Sequence, residues 1–314
     1  MVGKILRTAA TVPEQIISNG DLAKTVQTSD QWITERTGIK TRHIAQTESV
    51  VSLATKAAKK ALGPMDPLAI DMIIVSSVTS DALMPSAAAE IQKNLGAYNA
   101  TGFDINAACS GFIYAYTLVQ AHMSAGWCEN ALIIGAETLS HFVDWQDRET
   151  CILFGDGAGA SLMTSVPGTP YVPFTRSFGQ LGDALTCNPI YPNAPDKGNH
   201  TVLMDGRNVF KFAVKEVSNA IHSLLETNNT PIESVDLFIL HQANLRIIQS
   251  IARRLKVDPQ KFPTNLEKYG NTSSASIPLL IAELEQSGRL KKGQKVVLAG
   301  FGAGLTIGAC LLDW

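Results

Sequence analysis

Hydrophobic positions in this chain alternate between two periods. A continuous apolar, β-branched run at Met72–Val78 gives way to helical spacing over Pro85–Leu95, then to a second strand near Gly102–Asn106. Short apolar runs separated by helical patterns are the mark of α/β layering with crossover connections. From about Ser110 to Ala125 the residues Phe112, Ile113, Tyr116 and Leu118 stand among small or neutral neighbours. A helix apolar nearly all round is expected to be buried at the centre of the fold. A strand at Ala131–Gly135 and a glycine-rich turn at Gly155–Gly159 complete the first half.

The second half repeats the plan. A strand at Leu237–Leu240 leads to helix Leu245–Leu255, a helix follows Asn271, and a strand at Lys295–Leu298 precedes the glycine turn Gly300–Gly304. Cys109 and Asn271 open the corresponding helices, which end alike in Ser124-Ala125-Gly126 and Ser287-Gly288. The pattern predicts a duplicated α/β fold, with residues 1–165 carrying Cys109 and residues 166–314 carrying His241 and Asn271. The stretch Ser165–Asn208, dense in Pro, Gly and Asn, reads as a long connection able to cover a site.

Composition narrows the function classes. With 314 residues, 45% hydrophobic and 17% charged, the chain can bury a sizeable core and is neither disordered nor collagen-like. A net charge of -2 argues against binding nucleic acid through a broad basic surface. The longest uncharged stretch, Val296–Leu312, is interrupted by four glycines and falls short of the ~20 residues a membrane helix needs. Met1–Gln15 lacks the apolar core of a secretory signal, so a cytoplasmic location is expected. Five scattered cysteines with no CxxC and no Cys/His metal spacing are expected to be reduced thiols, most of them core residues.

Three residues carry candidate chemistry. The run Asp104-Ile105-Asn106-Ala107-Ala108-Cys109-Ser110-Gly111 passes from a strand straight into the apolar helix, which predicts Cys109 at a helix N-terminus with a lowered thiol pKa. The plain alternative is a small cysteine packing a strand-helix turn. His241 follows an apolar strand, at the carboxyl end where open α/β sheets place ligands, although a lone histidine there is usually structural. Asn271 alone would be an N-cap. The repeat raises all three, because matching strand ends and helix starts of two related halves meet at one centre. Gly300–Gly304 offers backbone N–H groups to an oxyanion, or else is a hairpin between buried strands. Gly155–Gly159 is rejected as a dinucleotide loop, since a strand-like Ala160–Met163 follows where a helix would be required.

Taken together, the motifs Thr28-Ser29-Asp30-Gln31-Trp32-Ile33, Arg36-Thr37-Gly38-Ile39, the Cys109 elbow, Phe154–Ala160, His241-Gln242-Ala243-Asn244, Gly270-Asn271-Thr272-Ser273 and Gly302–Gly304 resemble those of the type III β-ketoacyl-acyl-carrier-protein synthases of the thiolase superfamily. The resemblance implies a thiolase-like, five-layered αβαβα homodimer without metal or redox cofactor. It implies Cys109 as acyl acceptor, His241 and Asn271 as the decarboxylation pair, and the backbone N–H groups of Cys109 and Ala303 as oxyanion hole. A short acyl-CoA, acetyl-CoA first, would be condensed with malonyl-acyl-carrier protein.

For coenzyme A, the family pattern maps onto Trp32 and Arg148 around the adenine, Arg36 on phosphate, and Phe210, Ala243 and Asn244 along the pantetheine tunnel. Lys211, Arg246, Arg253 and Arg254 would form a basic rim for an acidic carrier protein. Met84 stands where the family reaches into the partner subunit's acyl pocket, often with phenylalanine, and Arg207 replaces a common tunnel asparagine. A condensing enzyme of secondary metabolism would share this triad. A cysteine thioesterase or acyltransferase would use Cys109 and His241 without needing malonyl decarboxylation.

Overall fold

The computed structural model describes residues 1–187 and 200–314. Part of the connection read at Ser165–Asn208 therefore lies outside the described residues. The first sheet is formed by β1 (Val2–Thr11), β2 (Met72–Ser76), β3 (Thr101–Ile105), β4 (Asn130–Glu137) and β5 (Gly157–Val166), in the order β1-β5-β4-β2-β3. β6 (Phe174–Ser177), β7 (Leu237–Leu240), β8 (Lys295–Gly302) and β9 (Thr306–Asp313) form the second, in the order β7-β8-β9-β6. Both follow one scheme. β2 and β4 are parallel, β4 and β5 antiparallel, β5 and β1 antiparallel; β7 and β8 are parallel, β8 and β9 antiparallel, β9 and β6 antiparallel. The counterpart of β3 is a short helical turn, Leu266–Tyr269.

The helices that matter for the site are α1 (Asp30–Thr37), α2 (Val50–Leu62), α3 (Ala87–Leu95), α4 (Gly111–Ser124), α5 (Gly206–Thr227), α6 (Leu245–Leu255) and α7 (Ser276–Gln286). α4 and α7 lie between the sheets and touch both; α2 and α3 cover the outer face of the first sheet, and α5, with α6 beside it, that of the second. This is the five-layered αβαβα arrangement of the thiolase-like fold.

Strand alternation explains the layering, because successive side chains point to opposite faces. In β2, Ile73 and Val75 pack with α2 residues such as Leu53 and Ala57, while Met72 and Ile74 join the central cluster around Phe112, Ile113 and Val119. In β7, Leu237 and Ile239 enter that central cluster, whereas Phe238 and Leu240 face Val217 and Ile221 of α5. Phe112, wholly buried, is worth about 3–5 kcal/mol against truncation to alanine. α3 begins at Ala87 because Ser86 caps Ala89 and both carboxylate oxygens of Asp104 accept from the N–H groups of Ala87 and Ala88 at 2.8 Å.

Three expectations need correction. The glycine motifs are not simply turns: β5 starts at Gly157 and β8 runs through Gly302, so the reversal is confined to Ala303–Leu305. Glycine is required there for close approach. A Cβ on Gly302 would lie 2.6 Å from the Cys109 nitrogen, and one on Gly159 2.8 Å from the Leu279 nitrogen. Second, Ser165–Asn208 is not structureless, since β6 within it completes the second sheet.

Third, the correspondence of Cys109 with Asn271 is off by three residues. Each central helix is approached through a 3₁₀ turn whose first residue has positive φ, Ala108 at 45° and Ser273 at 49°. Cys109 therefore matches Ser274, and Asn271 matches Asn106. Counting back from the helix ends misled because α7 has 11 residues and α4 has 14.

Candidate active site

Cys109 sits in the middle of the 3₁₀ turn Ala108–Ser110, ahead of α4 rather than in its first turn. Two contacts fix this turn to the second half of the chain. Gly302 lies against the Cys109 nitrogen, and the Ser110 hydroxyl hydrogen-bonds Thr306 Oγ1 at 2.8 Å. The pair Ala303 and Thr306 is itself closed by a bond from Thr306 Oγ1 to the Ala303 carbonyl at 3.2 Å. Cys109 is buried, and burial pushes its thiol up to about 12. The lowered pKa expected from the helix terminus is thus overturned by desolvation, with the buried Glu137 charge acting in the same direction. The resting sulfur is a protonated thiol.

His241 directly follows β7, and its N–H donates to the Ala299 carbonyl at 2.9 Å. A Cβ on Gly300 would lie 3.4 Å from His241 Cβ and 3.5 Å from the Cys109 carbonyl oxygen, so both residues border this one glycine. The ring stands edge-on to Phe301, centroids 5.3 Å apart. Burial pulls its pKa down to about 3, so the imidazole is neutral. Nδ1 lies 2.7 Å from Ser276 Oγ, which already accepts from the Gln242 N–H. Donation of the Ser276 proton to Nδ1 corresponds to the tautomer with the ring proton on Nε2.

Asn271 is held by its backbone to the segment after the Leu153 carbonyl: its N–H donates to Leu153 at 2.8 Å, and its carbonyl accepts from Gly155 at 3.0 Å. Its side-chain oxygen accepts from the Ser273 N–H at 2.9 Å. The amide is therefore oriented with Nδ2 outward, and that nitrogen has no partner among the described residues. The Phe154–Ala160 motif thus serves as a clamp for Asn271. Cys109 and His241 thus share Gly300 as a neighbour, and Asn271 stands in the turn that matches the one carrying Cys109.

Sequence reasoning missed the residues underneath. Arg42, wholly buried, donates to Asn19 Oδ1 and to the Ile17 and Ile152 carbonyls, bracing the loop that carries Leu153. Glu137, also wholly buried, accepts from Ser273 and Ser274. The available signal was an acid closing the apolar strand Ala131-Leu132-Ile133-Ile134-Gly135-Ala136-Glu137.

The residues assigned to coenzyme A are placed unevenly. Both Arg36 and Arg148 stack on Trp32, with guanidinium carbons 4.2 and 4.9 Å from the ring centroid. Phe210 is half-buried on α5, and Ala243 is buried. Asn244 is half-buried, its oxygen capping α6 through the Arg246 N–H at 2.8 Å and its amide nitrogen donating to the Arg36 carbonyl at 3.1 Å. Lys211, Arg246, Arg253 and Arg254 are all exposed, as is Arg207. Met84 is 83% exposed beside Leu83 at 84%. Among the described residues no group of three or more His, Cys, Asp or Glu is placed to hold a metal, and no helix is long and apolar enough to cross a membrane.

A buried cysteine in the turn before a central helix, a histidine bordering the same glycine, and an asparagine in the matching turn of the second thiolase-like half are the marks of a condensing acyltransferase. Family models of 3-oxoacyl-[acyl-carrier-protein (ACP)] synthase III match residues 103–175 and, for its C-terminal part, residues 225–314. The chain is 45% identical to a β-ketoacyl-[acyl-carrier-protein] synthase III of Clostridium novyi over 99% of its own length and 98% of the relative's. The crystal structure of 3-oxoacyl-[acyl-carrier-protein] synthase III from Aquifex aeolicus superposes with TM-score 0.94 at 41% identity, covering 99% of this chain and 100% of that one. A priming β-ketosynthase from the R1128 polyketide biosynthetic pathway has TM-score 0.94 at 33% identity, covering 99% and 96%. The chain belongs to the 3-oxoacyl-[acyl-carrier-protein] synthase III family, the transferases that initiate fatty-acid biosynthesis.

Proposed function

We propose that this protein joins a short acyl-CoA, acetyl-CoA first, to malonyl-acyl-carrier protein in two half-reactions. The Cys109 sulfur attacks the acyl-CoA carbonyl, coenzyme A leaves, and an acyl-Cys109 thioester remains. Malonyl-carrier protein then loses carbon dioxide, and its enolate attacks the acyl-Cys109 carbonyl to form the new carbon–carbon bond. The observation that carries this reading is the pair of neutral donors, His241 Nε2–H and Asn271 Nδ2–H, each with its other polar atom already committed inside the protein. Two such donors suit an enolate, where charge develops as carbon dioxide departs, and neither must change protonation to act. The N–H groups of Cys109 and Ala303 suit the oxyanion of the acyl-transfer steps. No metal or redox cofactor enters the reaction.

Support for the rest of the reading is local. The cationic pair around Trp32 suits a nucleotide with phosphates, and Asn244 ties that region to the start of α6. The exposed Lys211, Arg246, Arg253 and Arg254 suit an acidic carrier. Leu83 and Met84, both exposed, suit burial against a second copy, with Met84 entering the partner's acyl pocket. The five free cysteines suit the cytoplasm. The R1128 likeness favours, as second reading, a priming synthase of secondary metabolism. Intact mass after incubation with a panel of acyl-CoAs tests the proposal: an acyl increment on the Cys109 peptide is expected and names the primer, and no increment with any acyl-CoA overturns it. Carbon dioxide release from malonyl-CoA but not from malonyl-carrier protein would favour the second reading.

A further inference from the structure

The strands β4 and β8 hold the same place in the two sheets, each eight residues long, parallel to one neighbour and antiparallel to the other. Each also meets the turn of the opposite half. Gly300 and Gly302 of β8 lie against the carbonyl oxygen and the nitrogen of Cys109, and Gly135 of β4 lies against the carbonyl oxygen of Ser274. The residue that matches Gly302 is Glu137, wholly buried at the end of β4. Glycine at one strand end lets backbone approach backbone. At the other strand end a carboxylate reaches the turn instead.

Glu137 is fixed first by its own half. Its Oε2 accepts from Thr79 Oγ1 at 2.7 Å, the Val78 N–H at 3.1 Å and Ser77 Oγ at 3.3 Å. The Thr79 hydroxyl accepts in turn from the Thr138 N–H at 2.9 Å, and the Ser77 hydroxyl from the Thr79 N–H at 3.1 Å, which leaves their protons for the carboxylate. Oε1 then accepts from the hydroxyls of Ser273 at 3.1 Å and Ser274 at 2.8 Å in the second half. Ser273 is the residue whose N–H donates to Asn271 Oδ1 at 2.9 Å. It does so with φ at 49°, a conformation that a residue other than glycine keeps where its surroundings impose it. In the matching turn, which has Gly302 in place of the acid, the Asn106 side chain is exposed and its Oδ1 stands 3.3 Å from the Ala108 nitrogen.

We propose that Glu137 is a positioning residue for decarboxylation: by holding the Ser273 hydroxyl it fixes the N–H that occupies Asn271 Oδ1, and so keeps Asn271 Nδ2 aimed outward at the enolate. Packing alone accounts poorly for an acid here, since a carboxylate in a dry site gives up hydration that an apolar side chain would not. The contact is the useful part, and the charge is its cost. A negative group under the site does nothing to favour an enolate, whereas a rigid acceptor at Oε1 prevents the turn from relaxing out of positive φ.

The inference rests on Asn271 as an enolate donor, and a double-mutant cycle separates the two claims. Carbon dioxide release from malonyl-carrier protein by the acetylated enzyme is measured at single turnover in wild type, Ser273→Ala, Asn271→Ala and the double variant, with Glu137→Gln beside them. Ser273→Ala is expected to lower the maximal rate by roughly 10-fold through loss of aim, and to leave the half-saturating carrier concentration unchanged. In the Asn271→Ala background the same change should cost nothing further, because no amide is left to aim. In Glu137→Gln the side-chain oxygen takes the place of Oε2 before the Val78 N–H, and the NH2 group keeps hold of the Ser273 oxygen, so the rate should stay within about 3-fold of wild type. A 10-fold loss in both backgrounds would mean a packing role and overturn the proposal, as would a wild-type rate in Ser273→Ala. Glu137→Gln as slow as Ser273→Ala would also overturn it, since charge and not contact would then be acting. A wild-type rate in Asn271→Ala would overturn the donor reading and the proposal with it. Should Glu137→Gln fail to fold, the Ser273 cycle decides alone.

Discussion

The turns that lead into the two central helices have the same backbone and opposite duties. At Asn106–Gly111 and Asn271–Ser276 an asparagine oxygen accepts from the N–H two residues on, at 3.3 and 2.9 Å, and a residue with positive φ starts a 3₁₀ turn into the helix. In the first copy the middle of that turn is Cys109; in the second it is Ser274, bonded to Glu137 and to the Ser76 carbonyl. The first turn offers a sulfur, and the second offers Asn271 Nδ2, oriented because its oxygen is occupied. Under the proposed function, the duplicated turn divides one reaction into an acyl-accepting half and an enolate-stabilising half, by changing side chains and keeping the frame.

The likeness between the turns can be broken most severely at the nucleophile. Cys109→Ser should abolish acyl-enzyme, since a hydroxyl at neutral pH lacks the nucleophilicity of sulfur; intact mass after acetyl-CoA reads this directly. Next, Asn271→Ala should slow carbon dioxide release from malonyl-carrier protein by roughly 10²–10³-fold, the scale for losing one oxyanion donor. Asn106→Ala, its counterpart, should cost about 1 kcal/mol of stability as a lost cap and leave decarboxylation largely intact.

Packing between the halves gives a third test. A Cβ on Gly135 would lie 2.2 Å from the Ser274 carbonyl oxygen, a backbone atom that cannot swing aside. Gly135→Ala should therefore destabilise by about 3 kcal/mol in a denaturant titration. A smaller effect follows from His241. The folded chain holds it neutral with a pKa down to about 3, against about 6.5 when unfolded. Below about pH 6.5 the unfolded chain takes up a proton the folded chain does not, so this histidine lowers stability as pH falls from there toward 3. His241→Asn should shrink the stability lost between pH 7 and pH 5 by about 2 kcal/mol. The smallest effect belongs to the surface. Arg246→Glu and Arg253→Glu should raise KM for malonyl-carrier protein, more at low salt than at high, and barely change the acyl-CoA half-reaction.

The fold was legible because both sheets are buried on two faces, so strands such as Met72–Ser76 and Leu237–Leu240 read as unbroken apolar runs. Cys109, His241 and Asn271 were legible as residues standing where strands end and helices begin. The state of the thiol was not. Local sequence displays the helix N-terminus, whereas the burial that outweighs it, with the Glu137 charge acting in the same direction, comes from segments remote in the chain and adjacent only after folding. The register of the repeat was hidden for a related reason, because positive φ at Ala108 and Ser273 marks no residue type. Likewise, the job of Asn244 depends on Arg36 arriving beside it.

The division of labour between the turns is tested most directly by asking whether Asn271→Ala traps the acyl-enzyme. Wild type and variant are loaded with acetyl-CoA, freed of excess CoA ester, mixed with malonyl-carrier protein and followed by intact mass. The acetyl increment on Cys109 should form in both, vanish promptly in wild type, and persist in the variant. Discharge at the wild-type rate would contradict the role given to Asn271, and failure of the variant to acquire the increment would show that the two halves do not divide the reaction as described.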